Sequence, residues 1–280
     1  MTTHNAMTIY RLAALDMDGT LLNSDHETTP YTRAVIERAA AAGKIVALST
    51  GRALSELWAH LRLIPGIAYV IGESGACVYD VGRAQILRRI TLDDGDVDAI
   101  YAAAEGMDVT VQCFIDNQSY MTGESDAAMA AHHLTDFAPA FRAGSMFIED
   151  AAALCRASRG RVSKINLYFA SARERDRYPE RIRGLNVAVK ESVGIGWEIS
   201  PPEADKAKGL YFLCDHLGLS PREVMAVGDG GNDLDIMGAA GLSVAMGNAI
   251  DAVKAMADAL TDDCDHDGAA KAIERYMLAE

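Results

Sequence analysis

A chain of 280 residues, half of them apolar, has material for one large or two ordinary domains and a sizeable core. Forty acidic residues against 26 basic ones leave a net charge of −14, which repels nucleic acid and the anionic leaflet of a membrane and sets both aside as main partners. The five cysteines (Cys77, Cys113, Cys155, Cys214, Cys264) are odd in number and never form a C-x-x-C pair, so neither a disulfide framework nor a zinc knuckle is indicated. Reduced thiols, no apolar run near the roughly 20 residues of a membrane span and no recognisable export signal lead to the expectation of a soluble, cytoplasmic protein.

Residues 1–8 are polar and unpatterned and are expected to be a frayed tail. Residues 9–15 read as a short buried strand that runs into Asp16, Asp18 and Gly19. An Ala-rich helix over 30–42 is closed by Gly43, and a strand over 44–49 ends in Thr50, Gly51 and Arg52. A helix over 53–63 is stopped by Pro65 and Gly66, and a third strand follows at 68–72. This alternation predicts a doubly wound, Rossmann-like parallel sheet. The pattern then loosens: strands are predicted at 109–115 and 164–169, helices at 97–104 and 172–183. Regular alternation returns with a helix at 206–217, a strand at 224–228, a helix at 234–240, a strand at 242–246 and a helix at 249–259. The expected architecture is an α/β core made of residues 1–86 and 198–280, with an α+β cap domain, residues 87–197, inserted into it.

Chemistry gathers where the core strands end. Asp16 and Asp18 stand two apart, and in an extended segment such side chains share a side, so two carboxylates are expected to face one pocket. Gly19 permits a sharp turn and the Thr20 hydroxyl can tie it down, although Asp and Gly also build ordinary turns in which the carboxylates cap backbone amides. Ser49, Thr50, Gly51 and Arg52 offer hydroxyls and free N–H groups to phosphate oxygens. Gly228, Asp229, Gly230, Gly231, Asn232 and Asp233 let the backbone approach a ligand, with Asp229 and Asp233 suited to a hard cation such as magnesium. In an open α/β sheet all three segments arrive at the ligand-binding edge.

In order and spacing these motifs resemble the haloacid dehalogenase (HAD) superfamily, specifically its Cof-type, sugar-phosphatase-like branch with a large cap after the second motif. Asp16-Met17-Asp18-Gly19-Thr20 is similar to the first motif, Ser49-Thr50-Gly51-Arg52 to the second and Gly228-Asp229-Gly230-Gly231-Asn232-Asp233 to the fourth. The third-motif lysine is best matched by Lys206, with Lys208, which precedes Gly209, as the second candidate. The resemblance implies a phosphatase of small phosphorylated metabolites, sugar phosphates first. It implies Asp16 as nucleophile, Asp18 as general acid and base, and Lys206, Thr50, Gly51, Arg52 and Asn232 on the transferring group. Magnesium (Mg2+) would be held by Asp16, the Asp18 carbonyl and Asp229, with Asp233 in support. A hexose phosphomutase shares this chemistry, and a calcium- or metabolite-binding protein without turnover is the reading from another class. Nothing in the sequence bears on oligomeric state.

Other patterns are weaker. Asp263, Asp265, Asp267, Gly268 and Glu274 match the spacing of an EF-hand loop, but a solvated acidic turn that caps a helix explains them as well. Gly72-Glu73-Ser74-Gly75 misses the serine nucleophile elbow by one position, and there is no P-loop. His132 and His133 are adjacent, so a helix would separate their rings, and both are expected at the surface. Between 156 and 183, nine basic residues face three acidic ones: a solvated helix face, or a stretch that attracts anionic substrates.

Overall fold

A computed structural model describes residues 10–279. The expected tail at 1–8 and the first residue of the predicted strand, Ile9, lie outside the described residues. The chain forms two compact units. The first comprises the residues up to Gly51, His60–Leu87 and those from Asp205 on; the second comprises Arg52–Ala59 and Arg88–Ala204.

In chain order the first unit starts with β1 (Leu12–Leu15), α1 (Pro30–Ala41) and β2 (Ile45–Ser49). The chain then runs through α2 (Trp58–Leu63), β3 (Ile67–Gly72), β4 (Cys77–Asp80) and β5 (Gln85–Arg89). The second unit contributes α3 (Asp94–Ala104), β6 (Val109–Ile115), β7 (Gln118–Met121), α4 (Asp126–Ala131), α5 (Ala138–Gly144) and β8 (Ser145–Phe147). It continues with α6 (Ala151–Ala157), β9 (Val162–Phe169), α7 (Ala172–Arg181), β10 (Ala188–Ser192) and β11 (Gly196–Ser200). The first unit is completed by α8 (Lys206–Leu217), β12 (Val224–Gly228), α9 (Leu234–Ala239), β13 (Leu242–Ala245), α10 (Asp251–Met256), β14 (Ala259–Leu260) and α11 (Gly268–Ile273).

The sheet of the first unit has eight strands in the order β14-β13-β12-β1-β2-β3-β4-β5. The pairs from β14 through β3 are parallel and β4 joins β3 antiparallel. β1 lies at the centre, and its four residues are all buried, as the continuous apolar run of a strand covered on both faces requires. Leu15 is level with Val227 on one neighbour and Leu48 on the other, so the strands end together and the residues that follow them emerge at one edge.

The second unit is built on a six-stranded sheet, β10-β11-β9-β6-β7-β8, antiparallel except for β7 with β8. Alternation along β6 and β9 sends Val111, Cys113, Ile115, Ile165, Leu167 and Phe169 into one core with Ile100 and Tyr178. On the opposite face Gln112 Oε1 accepts from Asn166 Nδ2 and from the Tyr168 hydroxyl at 3.0 and 2.7 Å, and Tyr168 packs in a smaller apolar cluster with Met121, Met129, Leu134 and Phe141.

Several expectations need correction. The helix predicted over 53–63 is broken into a 3-10 turn, Leu54–Glu56, and α2. The Glu56 carboxylate takes the Ala53 N–H and the Asn117 carbonyl takes the Ser55 N–H, which draws the first turn off the helical ladder. The helix predicted over 249–259 is only Asp251–Met256, because Asp258 bonds the backbone and hydroxyl of Ser243 and leads the chain into edge strand β14. The early alternation is not parallel throughout: β4 and β5 extend the sheet as a meander after β3. β11, near the expected 197/198 junction, belongs to the second unit's sheet, so that unit extends to Ala204. His132 is not at the surface: its ring is buried against the Thr110 hydroxyl, the Ala128 carbonyl and Asp108. Within the basic stretch Arg159 pairs with Asp98, Arg161 with Asp116 and Arg183 with Glu180, while Lys164 is buried on Glu198. All five cysteines are free thiols. Among the described residues no helix is long and apolar enough to cross a membrane.

Candidate active site

The first unit gathers its acidic residues just beyond β1 and β12. Asp16 follows β1, is buried, and donates its N–H to the Val227 carbonyl at 3.0 Å. After Leu15 the chain is no longer extended, since the Leu21 and Leu22 N–H groups close back on the Met17 carbonyl at 3.0 and 2.9 Å. Asp16 is buried and Asp18 is exposed, its Oδ1 4.0 Å from His26 Nδ1, and the Asp18 charge acts on Asp229. Gly19 turns at φ +78°, and a Cβ there would lie 2.5 Å from Asp229 Oδ2, so only glycine fits. Thr20 Oγ1 donates to Asp229 Oδ1 at 2.9 Å and ties the two motifs together.

α8 begins where the site needs a cation. Asp205 caps it by accepting from the Ala207 and Lys208 N–H groups, and Gly218 ends it in the left-handed conformation. Lys206, the first helical residue, is buried and donates to Asp16 Oδ1 at 2.7 Å and to Asp233 Oδ1 at 2.6 Å. Lys208 is exposed. Asp233 Oδ2 accepts from the Asp229 and Gly230 N–H groups, each at 3.1 Å, so both of its oxygens are engaged. The ligand atoms of Asp16, Asp229 and Asp233 lie within 4.8 Å of one another, the only such group of three among the described residues. Thr50, buried at the end of β2, donates its N–H to the Ile71 carbonyl at 2.9 Å. Asn232 is exposed on the turn Gly231–Asp233. Arg52 falls in the segment that packs with the second unit, where its charge acts on Glu56.

A haloacid dehalogenase-like hydrolase family model matches residues 13–273, and thus includes all of these motifs. The chain belongs to this family. It is 30% identical to YxeH of Bacillus subtilis (strain 168) over 97% of this chain and 100% of that protein. It is 29% identical to the HMP-PP phosphatase of Serratia proteamaculans (strain 568) over 89% and 88%. Its fold matches that of BT4131, a HAD subclass IIB sugar phosphatase, with a TM-score of 0.81 at 21% identity, covering 96% of this chain and 100% of that one.

The electrostatics of this HAD site leave it short of positive charge. Burial, then the Asp233 charge, push the Asp16 carboxyl well above the usual carboxylate range, against the pull of Lys206. Burial and Asp233 likewise raise Asp229 to about 6, although the Thr20 hydrogen bond opposes them. Burial would lower Lys206, but Asp16 and Asp233 outweigh it and hold the ammonium charged. One ammonium faces three carboxylates, and the remaining donors are oxygens alone. That set fits a hard divalent cation.

The acidic run near the C-terminus is not such a site. Asp265 accepts from the Ser24 N–H and hydroxyl, Asp267 from the Thr29 and Thr32 hydroxyls, and Glu274 from Tyr31 and Arg38. Its carboxylates fasten the segment after the first motif and the start of α1. Asn248 was missed from the sequence: its Nδ2 donates to the Gly19 carbonyl at 2.8 Å and its Oδ1 accepts from the Cys264 N–H at 3.0 Å. The available signal was Gly247-Asn248 just past a predicted strand, on the same edge as the other motifs. The geometry also separates the two lysines. Lys206→Ala is expected to lower kcat at least about a hundredfold and Lys208→Ala to leave it within about threefold, measured by phosphate release.

Proposed function

We propose that this HAD-type phosphatase hydrolyses small phosphorylated metabolites, sugar phosphates foremost, through a phosphoryl group carried transiently on Asp16. The observation that supports the reading most directly is the buried Asp16 carboxylate held by Lys206 at 2.7 Å. A positioned carboxylate attacks a phosphate ester far faster than water does, and the acyl phosphate it forms is readily hydrolysed.

In the first step an Asp16 oxygen bonds to phosphorus and the ester oxygen leaves with the proton of Asp18. In the second, Asp18 takes a proton from water, the water oxygen bonds to phosphorus, and inorganic phosphate departs with Asp16 restored. The half-exposed position of Asp18 suits a group that must meet both leaving group and water. Lys206 offsets repulsion between the nucleophile and the phosphoryl oxygens, and Thr50, Gly51, Arg52 and Asn232 bind those oxygens through hydroxyl, N–H, guanidinium and amide. Magnesium is the cation this reading places at Asp16, Asp229 and the Asp18 carbonyl, where it would neutralise charge on the transferring group. Asp233, saturated by Lys206 and two amides, orients that lysine and the Asp229 turn. A cytoplasmic setting belongs to the same reading, since five free thiols suit a reducing compartment.

A phosphate-release assay with magnesium over a panel of small phosphate esters and phosphopeptides tests this. Phosphate from several sugar and other small esters, and almost none from phosphopeptides, is expected. Isomerised hexose phosphate without phosphate release would make the protein a mutase, and turnover of phosphopeptides alone would overturn the substrate class.

A further inference from the structure

The loop after β3 carries a backbone strain that neither the fold nor the reaction above accounts for. Glu73 (φ +51°), Ser74 (φ +56°) and Gly75 (φ +98°) are three successive residues in the left-handed region, two of them not glycine, and Glu73 is buried. Such strain persists only where the surroundings impose it. Here they do so from two sides. The Ser74 N–H donates to the Thr50 carbonyl at 3.0 Å, and the Ile71 carbonyl two residues before the turn takes the Thr50 N–H at 2.9 Å. On the other side, a Cβ on Gly75 would lie 2.1 Å from the Asp205 carbonyl oxygen, so the turn rests directly on the residue that caps α8. One helical turn further on, a Cβ on Gly209 would lie 2.5 Å from Ile71 Cγ2 and 3.4 Å from the Gly75 Cα.

We propose that the left-handed turn Glu73–Gly75 is a positioning element of the site, whose backbone fixes the separation between Thr50 and the Lys206 ammonium. The inference rests on the roles given above to those two residues. Thr50 is held through both its backbone groups by β3 and this turn, and Lys206 is the residue next to Asp205, so any relaxation of the turn moves one against the other. A shift of about 1 Å in a charge-stabilising group is enough to cost turnover. Such a loss falls on kcat with KM unchanged when the displaced contact matters only in the transition state.

The test uses the full-length protein with p-nitrophenyl phosphate and magnesium. Ser74→Val puts a β-branched residue where φ is positive, and Ser74→Gly permits that φ freely; both remove the hydroxyl. Ser74→Val is expected to lower kcat at least about tenfold with KM within about threefold, and Ser74→Gly to restore kcat to within about threefold of the parent. Gly209→Ala presses on Ile71 and the turn from within α8; the buried clash outweighs the gain in helix propensity, so a lower Tm is expected together with a kcat about tenfold down, measured at a temperature where circular dichroism shows the variant folded. Should Ser74→Val fail to fold, Gly209→Ala decides. Folded Ser74→Val and Gly209→Ala proteins with parental kcat, or losses that track the fraction unfolded by circular dichroism, would overturn the role of the turn. Lys206→Ala in the same assay separates the two readings. Parental turnover there overturns the assignment of the site and the turn's role with it; loss there, with parental kcat in the Ser74 and Gly209 variants, overturns the turn's role alone.

Discussion

Replacing Asp16 by Asn is expected to cut kcat by at least about 10³-fold, some 4 kcal/mol of barrier, while leaving the fold intact. Asn keeps the size of the side chain and an oxygen for the Lys206 ammonium, but it cannot form the bond to phosphorus. The effect on stability should be small and could favour the variant. Asp16 is buried beside Asp233, and both circumstances oppose its charge, while Lys206 keeps a carboxylate partner in Asp233 at 2.6 Å after the substitution. A loss of activity with Tm unchanged or raised therefore separates a nucleophile from a residue needed for folding. Turnover within about tenfold of the parent would remove Asp16 from the nucleophile's role.

What was legible in the sequence follows from the reach of the signals. The core strands over 45–49 and 224–228 and helix α8 announce themselves locally, through apolar runs, an Asp cap and a closing Gly, and appear almost residue for residue. The acidic motifs were legible through their order and spacing at the ends of the core strands, because Asp and Gly taken singly also build ordinary turns. What depended on partners distant in sequence was not. The first turn of the helix expected over 53–63 is undone by a bond from Ser55 to Asn117, 62 positions away, and His132 is buried because Thr110 and Asp108 meet it from another element. The acidic run near the C-terminus matched a calcium loop in spacing. Spacing could not show that Ser24, Thr29, Thr32 and Arg38 already occupy its carboxylates. The different exposure of Asp16 and Asp18 was not legible for a local reason: the chain turns at Met17, where strand alternation stops applying.

Removing divalent cations with a chelator is expected to abolish turnover, and magnesium to restore it. Asp229→Ala should raise the magnesium concentration needed for half-maximal activity at least about tenfold, whereas Asp263→Ala should not change it. Stability gives a second readout that does not depend on turnover. Burial and the Asp233 charge push the Asp229 carboxyl up to about 6, above the usual carboxylate range, so the folded state holds its proton more tightly than the unfolded chain does. Its contribution is then most favourable below about pH 4 and is lost as pH rises to about 6. A cation bound at Asp16 and Asp229 needs both carboxylates ionised and reverses this penalty, so the stabilisation it confers grows across the same window. Magnesium should therefore raise Tm more at pH 7.5 than at pH 5, and Asp229→Ala should lose both the shift and its dependence on pH. An equal shift at the two pH values, persisting in Asp229→Ala, would place the cation elsewhere.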